Sequence, residues 1–378
     1  MPPTSDTCRS WIALYLIKGL GNVVFRNLLE KFSLPENVFQ ANLSDLLAVE
    51  GMRKETALNI IRKRFLRDPE EEMKQIIDEE IRVITYSDIS YPPSLKTIYD
   101  APMLIYLKGK AIPQNYSFIG IVGSRNATHY GLGAAEKFAQ GLSRRGFGIV
   151  SGMAKGIDSS AHWGCITAKG FTVAVLGTGI DIIYPPSNEK LFQKICEKGA
   201  IITEFPLRTR PVPNNFPIRN RIISGLSRGV IVIEATKNSG SLITASLALE
   251  QGREVFAVPG SINSFKSNGC HFLIKQGAGL VENADDVLEG LGLNFPNVPK
   301  EDTHTGSYAF AMDESEKNIY GVIGEYPMHI DQIAHKVNFG AHEIAGTLTR
   351  MELKGIIKQL PGKMFIRLHS PIHLGMGE

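Results

Sequence analysis

Residues 206–229 read PLRTRPVPNNFPIRNRIISGLSRG and carry Arg208, Arg210, Arg219, Arg221 and Arg228 with no acidic residue among them. Glu204 and Glu234 are the nearest carboxylates on either side. The whole chain of 378 residues has a formal net charge of only +3, so this cluster is a local feature in search of an anion. Phosphate fits. Pro217 suits the first turn of a helix, which puts Arg219 in that turn and Arg221 just beyond it. Cations there oppose the helix dipole at about 0.3–1 kcal/mol each, a penalty that a bound phosphate reverses. Two residues apart on a helix, they point to different faces. One faces the ligand and the other buttresses the fold; spacing alone does not say which.

Several elements must position these groups. From about Phe118 to Leu291, apolar β-rich runs recur as FIGIVG, FGIVS, FTVAVLG, AIITEF, VIVIEA and EVFAVPG. Helical segments such as Gly131 to Arg145 and Ser241 to Gln251 lie between most of them. Strands apolar on both faces that alternate with helices predict a doubly wound α/β domain with a parallel sheet. The preceding RVITYSD…YPPSL…LIYLKG segment extends it. In such a fold the loops after successive strands gather at one sheet edge, where ligands bind.

Read together, those loops contain Gly123-Ser124-Arg125-Asn126, then Ser151 to Asp158 with Lys155, then Gly177 to Gly179 leading to Tyr184. The arginine stretch follows, then Lys237 to Ser241 and Pro259 to Ser261. Glycines let backbone approach a ligand closely, and loop amides and helix N-termini attract anions. One such loop is ordinary. Several that share glycine and a positive side chain predict an anion groove.

Enzyme signatures mostly fail. Neither Gly109-Lys110 nor Gly362-Lys363 belongs to a Walker A loop, and no dinucleotide fingerprint is completed after the first strand. Gly225-Leu-Ser227-Arg-Gly229 matches the nucleophile-elbow string, but a helix precedes it and a strand follows, the reverse of what an elbow needs. Asp158 reads as a helix cap and His162 as a packed histidine rather than a base. The histidines have no metal-ligand spacing. No catalytic residue, metal or cofactor is expected.

The flanks differ. Residues from about Trp11 to Phe65 read as short helices broken at Gly19 to Gly21 and at Val49 to Gly51. VEGMRKETALNI looks like a helix-hairpin-helix with apolar Ala57, Ile60 and Ile61. Such hairpins can offer amides to phosphate, but a small packing module is the preferred reading. The acidic clusters Glu70 to Glu72 and Asp78 to Glu80 suggest a solvated helix. VPKEDTHTGS (298–307) reads as linker. Residues from about Asp313 to Leu368 resemble a winged helix, whose longer helix, Gly340 to Leu353, offers a groove little beyond Thr347, Thr349 and Arg350. Its basic residues lie at Lys354, Lys358 and Lys363, so an auxiliary or protein-contact role is expected rather than sequence reading. The expected domains are thus 1–68 (helical), 69–297 (α/β), 298–312 (linker) and 313–378 (winged helix). Cys8, Cys165, Cys196 and Cys270 have no paired spacing and suit a reduced cytoplasm. No signal-like start or membrane-length apolar run is seen.

At these motifs the sequence resembles the DNA-processing protein A (DprA/Smf) family. The matching residues are GSR (123–125), SGMAKGID (151–158), LGTGIDIIYPPSN (176–188), FPIRNRIISGLS (216–227), SGSLITA (239–245) and GREVFAVPG (252–260). The resemblance implies an extended Rossmann-like domain. It also implies a non-enzymatic, cytoplasmic, dimeric protein that binds and protects single-stranded DNA and loads the RecA recombinase during natural transformation. Carried over residue by residue, the DNA-binding set is Gly123, Ser124, Arg125, Gly152, Lys155, Gly156, Asn215, Phe216, Arg219, Asn220, Arg221, Lys237, Ser239, Gly240 and Ser241. Lys155 stands where arginine is common, which keeps charge but loses bidentate reach. Asn238 replaces a commonly basic residue, with Lys237 one position earlier. The alternative is a nucleotide-binding hydrolase of the same fold family, resembling phosphoribohydrolases. Those carry PGGxGTxxE, whereas SGSLITA lacks the glutamate. A transcriptional regulator acting through the C-terminal helices is weaker still.

Overall fold

The computed structural model describes residues 5–293, 312–324, 327–337 and 339–367. They belong to two compact units, Met1–Ala127 with Ala134–Leu293, and Thr128–Gly133 with Asn294–Glu378. The expected linker at 298–312 lies outside the described residues except for Met312.

The larger unit is built on a nine-stranded sheet. Its strands are β1 (Arg82–Thr85), β2 (Leu104–Gly109), β3 (Phe118–Gly123), β4 (Gly148–Ser151), β5 (Thr172–Val175), β6 (Ala200–Thr203), β7 (Ser227–Ile233), β8 (Glu254–Ala257) and β9 (Gly279–Leu280). The order is β1-β2-β6-β5-β4-β3-β7-β8-β9. From β6 to β9 every pairing is parallel, while β1–β2 and β2–β6 are antiparallel. The apolar runs become these strands because both faces are covered: β5 and β6 are buried along their whole length. The chain winds outward from β3 in one direction through β4, and in the other through β7. The crevice between β3 and β7 is therefore a topological switch point, where a ligand site is expected.

The N-terminal helices fuse with this sheet instead of standing apart. Trp11, Leu14, Phe25 and Leu28 share one buried cluster with Leu104, Tyr106, Ala174 and Ile201. The acidic helix Pro69–Asp78 is not solvated all round, contrary to the reading of its charges. Glu72 is 2% exposed, accepting from the Tyr106 hydroxyl at 2.9 Å and the Leu207 amide at 2.8 Å, with Arg67 at 3.0 Å. These three donors satisfy a carboxylate that burial would otherwise leave without partners. In the hairpin helix Lys54–Ile61, Ala57 and Ile60 are buried, but Ile61 is 44% exposed.

The smaller unit is a winged helix. Helices Glu314–Val322, Ile330–Val337 and Ala341–Leu353 pack Ile319, Ile333, Ile344 and Leu348 against Phe365. Strands β10 (Met328–His329), β11 (Ile357–Leu360) and β12 (Met364–Arg367) pair antiparallel in the order β10-β12-β11. Lys354 is not a spare wing cation: its Nζ donates to both carboxylate oxygens of buried Glu316 at 2.7 Å.

Candidate nucleic-acid interface

A cavity of about 600 Å³ opens at the carboxyl edge of the sheet, over the switch point. The loop after β3 contributes Gly123, Ser124, Arg125 and Asn126. The helix Asn215–Leu226 contributes Phe216, Arg219 and Asn220, and the start of helix Gly240–Glu250 contributes Ser239, Gly240, Ser241 and Thr244. Loops distant in sequence meet here because parallel strands all end at this edge.

The arginine stretch is divided by the fold rather than presented as one patch. Arg219 is 4% exposed; its Nη1 donates to the carbonyls of Gly152 (2.8 Å) and Val175, and Nε to Asn220 Oδ1 at 3.1 Å. Burial pushes its pKa down to about 10, Asp158 opposes that, and Arg125 adds like-charge repulsion. It stays cationic at neutral pH, and an anion entering the cavity relieves that repulsion.

Arg221 is a different case. The expectation that these arginines lack acidic partners fails for it, since Nη2 meets Glu204 at 2.6 Å and Nε meets Asp100 at 2.7 Å. Helical geometry turns it to the opposite side from Arg219, out of the cavity lining. Arg208 is turned toward Gln75 at 3.0 Å, and Arg228 lies near the amino end of β7, away from the carboxyl edge. Arg210 is exposed and its side chain has no partner among the described residues.

Arg125 is exposed and makes no hydrogen bond or ion pair among the described residues. Its guanidinium lies over the Phe216 ring, 5.1 Å from the centroid, while Arg219 approaches the same ring at 6.0 Å. Tyr184 stacks at a tilt on Phe216, 5.6 Å between centroids. An aromatic surface flanked by cations is thereby exposed to the cavity. Lys155 and Lys237 are exposed beside the lining residues Ala154 and Thr236.

The supporting residues explain the loop sequences. Gly156 has φ +79°, and a Cβ there would stand 2.3 Å from the Ser124 carbonyl oxygen. Asn215 is buried, its Nδ2 donating to the Gly177 carbonyl at 3.1 Å. Asp158 does not cap its own helix. The N-cap of Ile157–Thr167 is Gly156, and the Asp158 carboxylate accepts from the Gly152 and Ala154 amides at 3.1 and 3.3 Å. Burial raises the pKa of Asp158, with Arg219 and these amides opposing the shift. His162 is fully buried, with Nδ1 2.7 Å from Thr172 Oγ1. Ser227 is buried at the start of β7 and donates to the Ile223 carbonyl.

Of the expected residues, Gly123, Ser124, Arg125, Phe216, Arg219, Asn220, Ser239, Gly240 and Ser241 line the cavity together. Gly152, Gly156 and Asn215 shape it from beneath, Lys155 and Lys237 flank it, and Arg221 faces elsewhere. Thr244 and Lys266 were not anticipated. Thr244 follows Gly240 by one helical turn, a spacing that reveals it. Lys266 comes from the loop after β8, and its Nζ donates to the Asn126 carbonyl at 2.5 Å. Among the described residues no cluster of His, Cys, Asp and Glu could hold a metal, and no helix is long and apolar enough to cross a membrane.

Residues 82–292 match the family model "DNA recombination-mediator protein A", and residues 306–363 match "DprA winged helix domain". Protein Smf of Synechocystis is 34% identical over 94% of this chain and 98% of its own length. The crystal structure of DNA processing protein A from Streptococcus pneumoniae aligns with a TM-score of 0.66 at 38% identity, covering 78% of this chain and all of that one. A structure of DNA processing protein A from Helicobacter pylori, described for its single-stranded DNA binding mode, aligns with a TM-score of 0.50 at 29% identity over 55% of this chain and 95% of that one.

Proposed function

Because this chain belongs to the DNA recombination-mediator protein A (DprA/Smf) family, we propose that it binds single-stranded DNA in the switch-point groove and delivers the strand to a RecA-type recombinase during natural transformation. In this reading it works without catalysis, in the cytoplasm and as a homodimer, and protects incoming DNA before recombination. The observation that carries the proposal is Arg125: an exposed, unpartnered guanidinium over the Phe216 ring, beside a second, buried guanidinium at Arg219. Phosphate satisfies the cations, and an unstacked base finds a ring. Both are features of a single strand. The binding mode described for the Helicobacter pylori relative supports the same choice of ligand. Gly123, Ser124, Gly152, Lys155, Gly156, Asn215, Asn220, Lys237, Ser239, Gly240 and Ser241 form or flank the strand-binding surface. Arg221 holds its helix in place through Glu204.

Recombinase delivery is tested by following RecA filament growth on a single strand already coated by a single-strand-binding protein. Addition of this protein should shorten the lag. An unchanged lag, with the strand demonstrably bound, removes the delivery step and leaves only the binding.

A further inference from the structure

The N-terminal helices carry a second basic surface that the groove does not use. Lys18, Arg53, Lys54, Arg62, Lys63 and Arg64 are all exposed, and their side chains make no ion pair or hydrogen bond among the described residues. The acids within five residues of them in sequence are Glu50, Glu55 and Asp68; Arg67 is already paired with Glu72. The fold gathers these cations. Lys18 donates its amide to the Arg64 carbonyl at 3.1 Å and accepts at its own carbonyl from Asn59 Nδ2 at 3.0 Å. The helix Lys54–Ile61 thus lies against Lys18, with Arg53 and Lys54 at one end and Arg62 to Arg64 at the other. Eight residues at about 1.5 Å each span about 12 Å, enough for more than one phosphate.

The two glycine turns reinforce the pattern. Thr56 Oγ1 donates to the Gly19 carbonyl, and Asn27 Nδ2 donates to the Glu50 carbonyl at 3.1 Å, so each turn sits beside the other's following helix. Neither helix, Asn22–Phe32 nor Lys54–Ile61, has a side chain capping its first amides.

The first of these turns reaches the helix that carries groove residues. Gly21 and Asn22 line a hollow of about 310 Å³ together with Ile218 and Arg221, on the far side of the helix that carries Phe216 and Arg219. Glu204 and Asp100 line it too, both ion-paired with Arg221, which offsets one of their two charges. Ile218 is 47% exposed there.

We propose that the basic hairpin surface formed by Lys18, Arg53, Lys54 and Arg62 to Arg64 is a second backbone-binding segment, which takes the same single strand after it leaves the groove. This rests on the groove binding a single strand. Its contacts are to phosphate, independent of sequence, and they apply only to strands long enough to cross Ile218 and reach Lys18.

The test uses the full chain with Lys18→Gln, Arg53→Gln, Arg62→Gln and Arg64→Gln combined, which leaves the backbone bonds of Lys18 and Arg64 in place. Binding is measured to oligothymidines of about six and about twenty-five nucleotides. Wild type should bind the long strand more tightly and with a steeper salt dependence. The variant should keep the short-strand affinity, bind the long strand about tenfold or more weakly, and lose about 0.7 of salt slope per phosphate contact removed. Equal long-strand affinity and slope in the two proteins overturns the inference, as does a loss of the same size on the short strand. Failure of wild type to bind the short strand at all instead overturns the reading of the groove.

Discussion

Arg219 and Gly152 occupy space that only a glycine leaves open. The guanidinium Nη1 donates to the Gly152 carbonyl at 2.8 Å, and a Cβ at residue 152 would lie 2.5 Å from Nη2. The loop after β4 and the helix Asn215–Leu226 are therefore fitted to each other through one buried cation. This separates two arginines that look alike in sequence: Arg219 is built into the groove wall, and Arg125 is offered to solvent.

The first prediction follows from that separation. Arg125→Ala should weaken single-strand binding tenfold or more, about 1.4 kcal/mol for one charge-assisted contact, with an unchanged melting temperature. Arg219→Ala should lower the melting temperature, because it leaves the buried Asp158 carboxylate without its cation. Anisotropy titrations and calorimetry on the two variants check this. Equal melting losses would place Arg125 in the fold as well.

The second concerns Arg221 and Glu204. Glu204→Gln should destabilise by about 3–5 kcal/mol, since Arg221 is then left buried with only Asp100 as a charged partner. Replacing both by methionine should cost less than the sum of the single changes, as a double-mutant cycle in urea would reveal. Additive losses would mean that the two side chains are not coupled.

The third is a pH dependence. Thr172 Oγ1 donates to the Ile149 carbonyl at 2.9 Å, so it accepts from His162 Nδ1–H, and the ring is neutral. Burial, and secondarily Arg219, lowers the His162 pKa to about 3. The unfolded chain, with an ordinary histidine, binds a proton between about pH 6.5 and 3 that the folded chain refuses. Stability should therefore be full above about pH 6.5 and fall with acidification, by about 2 kcal/mol at pH 5 from this group. Urea unfolding of wild type and His162→Gln over this range should give a steeper decline in wild type; parallel curves would count against it.

The fourth addresses the winged helix. Lys354→Ala should loosen its own unit by removing the partner of buried Glu316, without changing single-strand affinity. Amide exchange in the Glu314–Val322 helix, read beside a DNA titration, separates the outcomes. Weakened binding with unchanged exchange would restore Lys354 as a DNA contact.

Much of this was legible in the sequence because strand periodicity and glycine-rich loops are local signals. The runs FIGIVG and VIVIEA become β3 and β7, and parallel topology then brings their loops to one edge. What stayed hidden depends on long-range partners. Charge alone suggested that Glu72 was solvated, yet Tyr106 and Leu207, distant in sequence, accommodate it in the interior. The ion pairs of Arg221 stayed hidden because they form only once its helix is packed: Asp100 lies 121 positions away, and Glu204, 17 away, sits on a separate segment after β6. Lys266 reaches Asn126 across 140 positions, and β9 is too short to leave a pattern.

The most direct test of the central claim is the affinity of the intact protein for a single strand and for a duplex of the same sequence, measured across salt concentration. If three or four phosphates are neutralised in the groove, the logarithm of single-strand affinity should fall against the logarithm of salt with a slope of roughly −2 to −3, about 0.7 per contact. Duplex binding should be much weaker throughout, because paired bases cannot reach Phe216. A complex indifferent to salt, or equal affinity for the two forms, would contradict a groove built for single-stranded DNA.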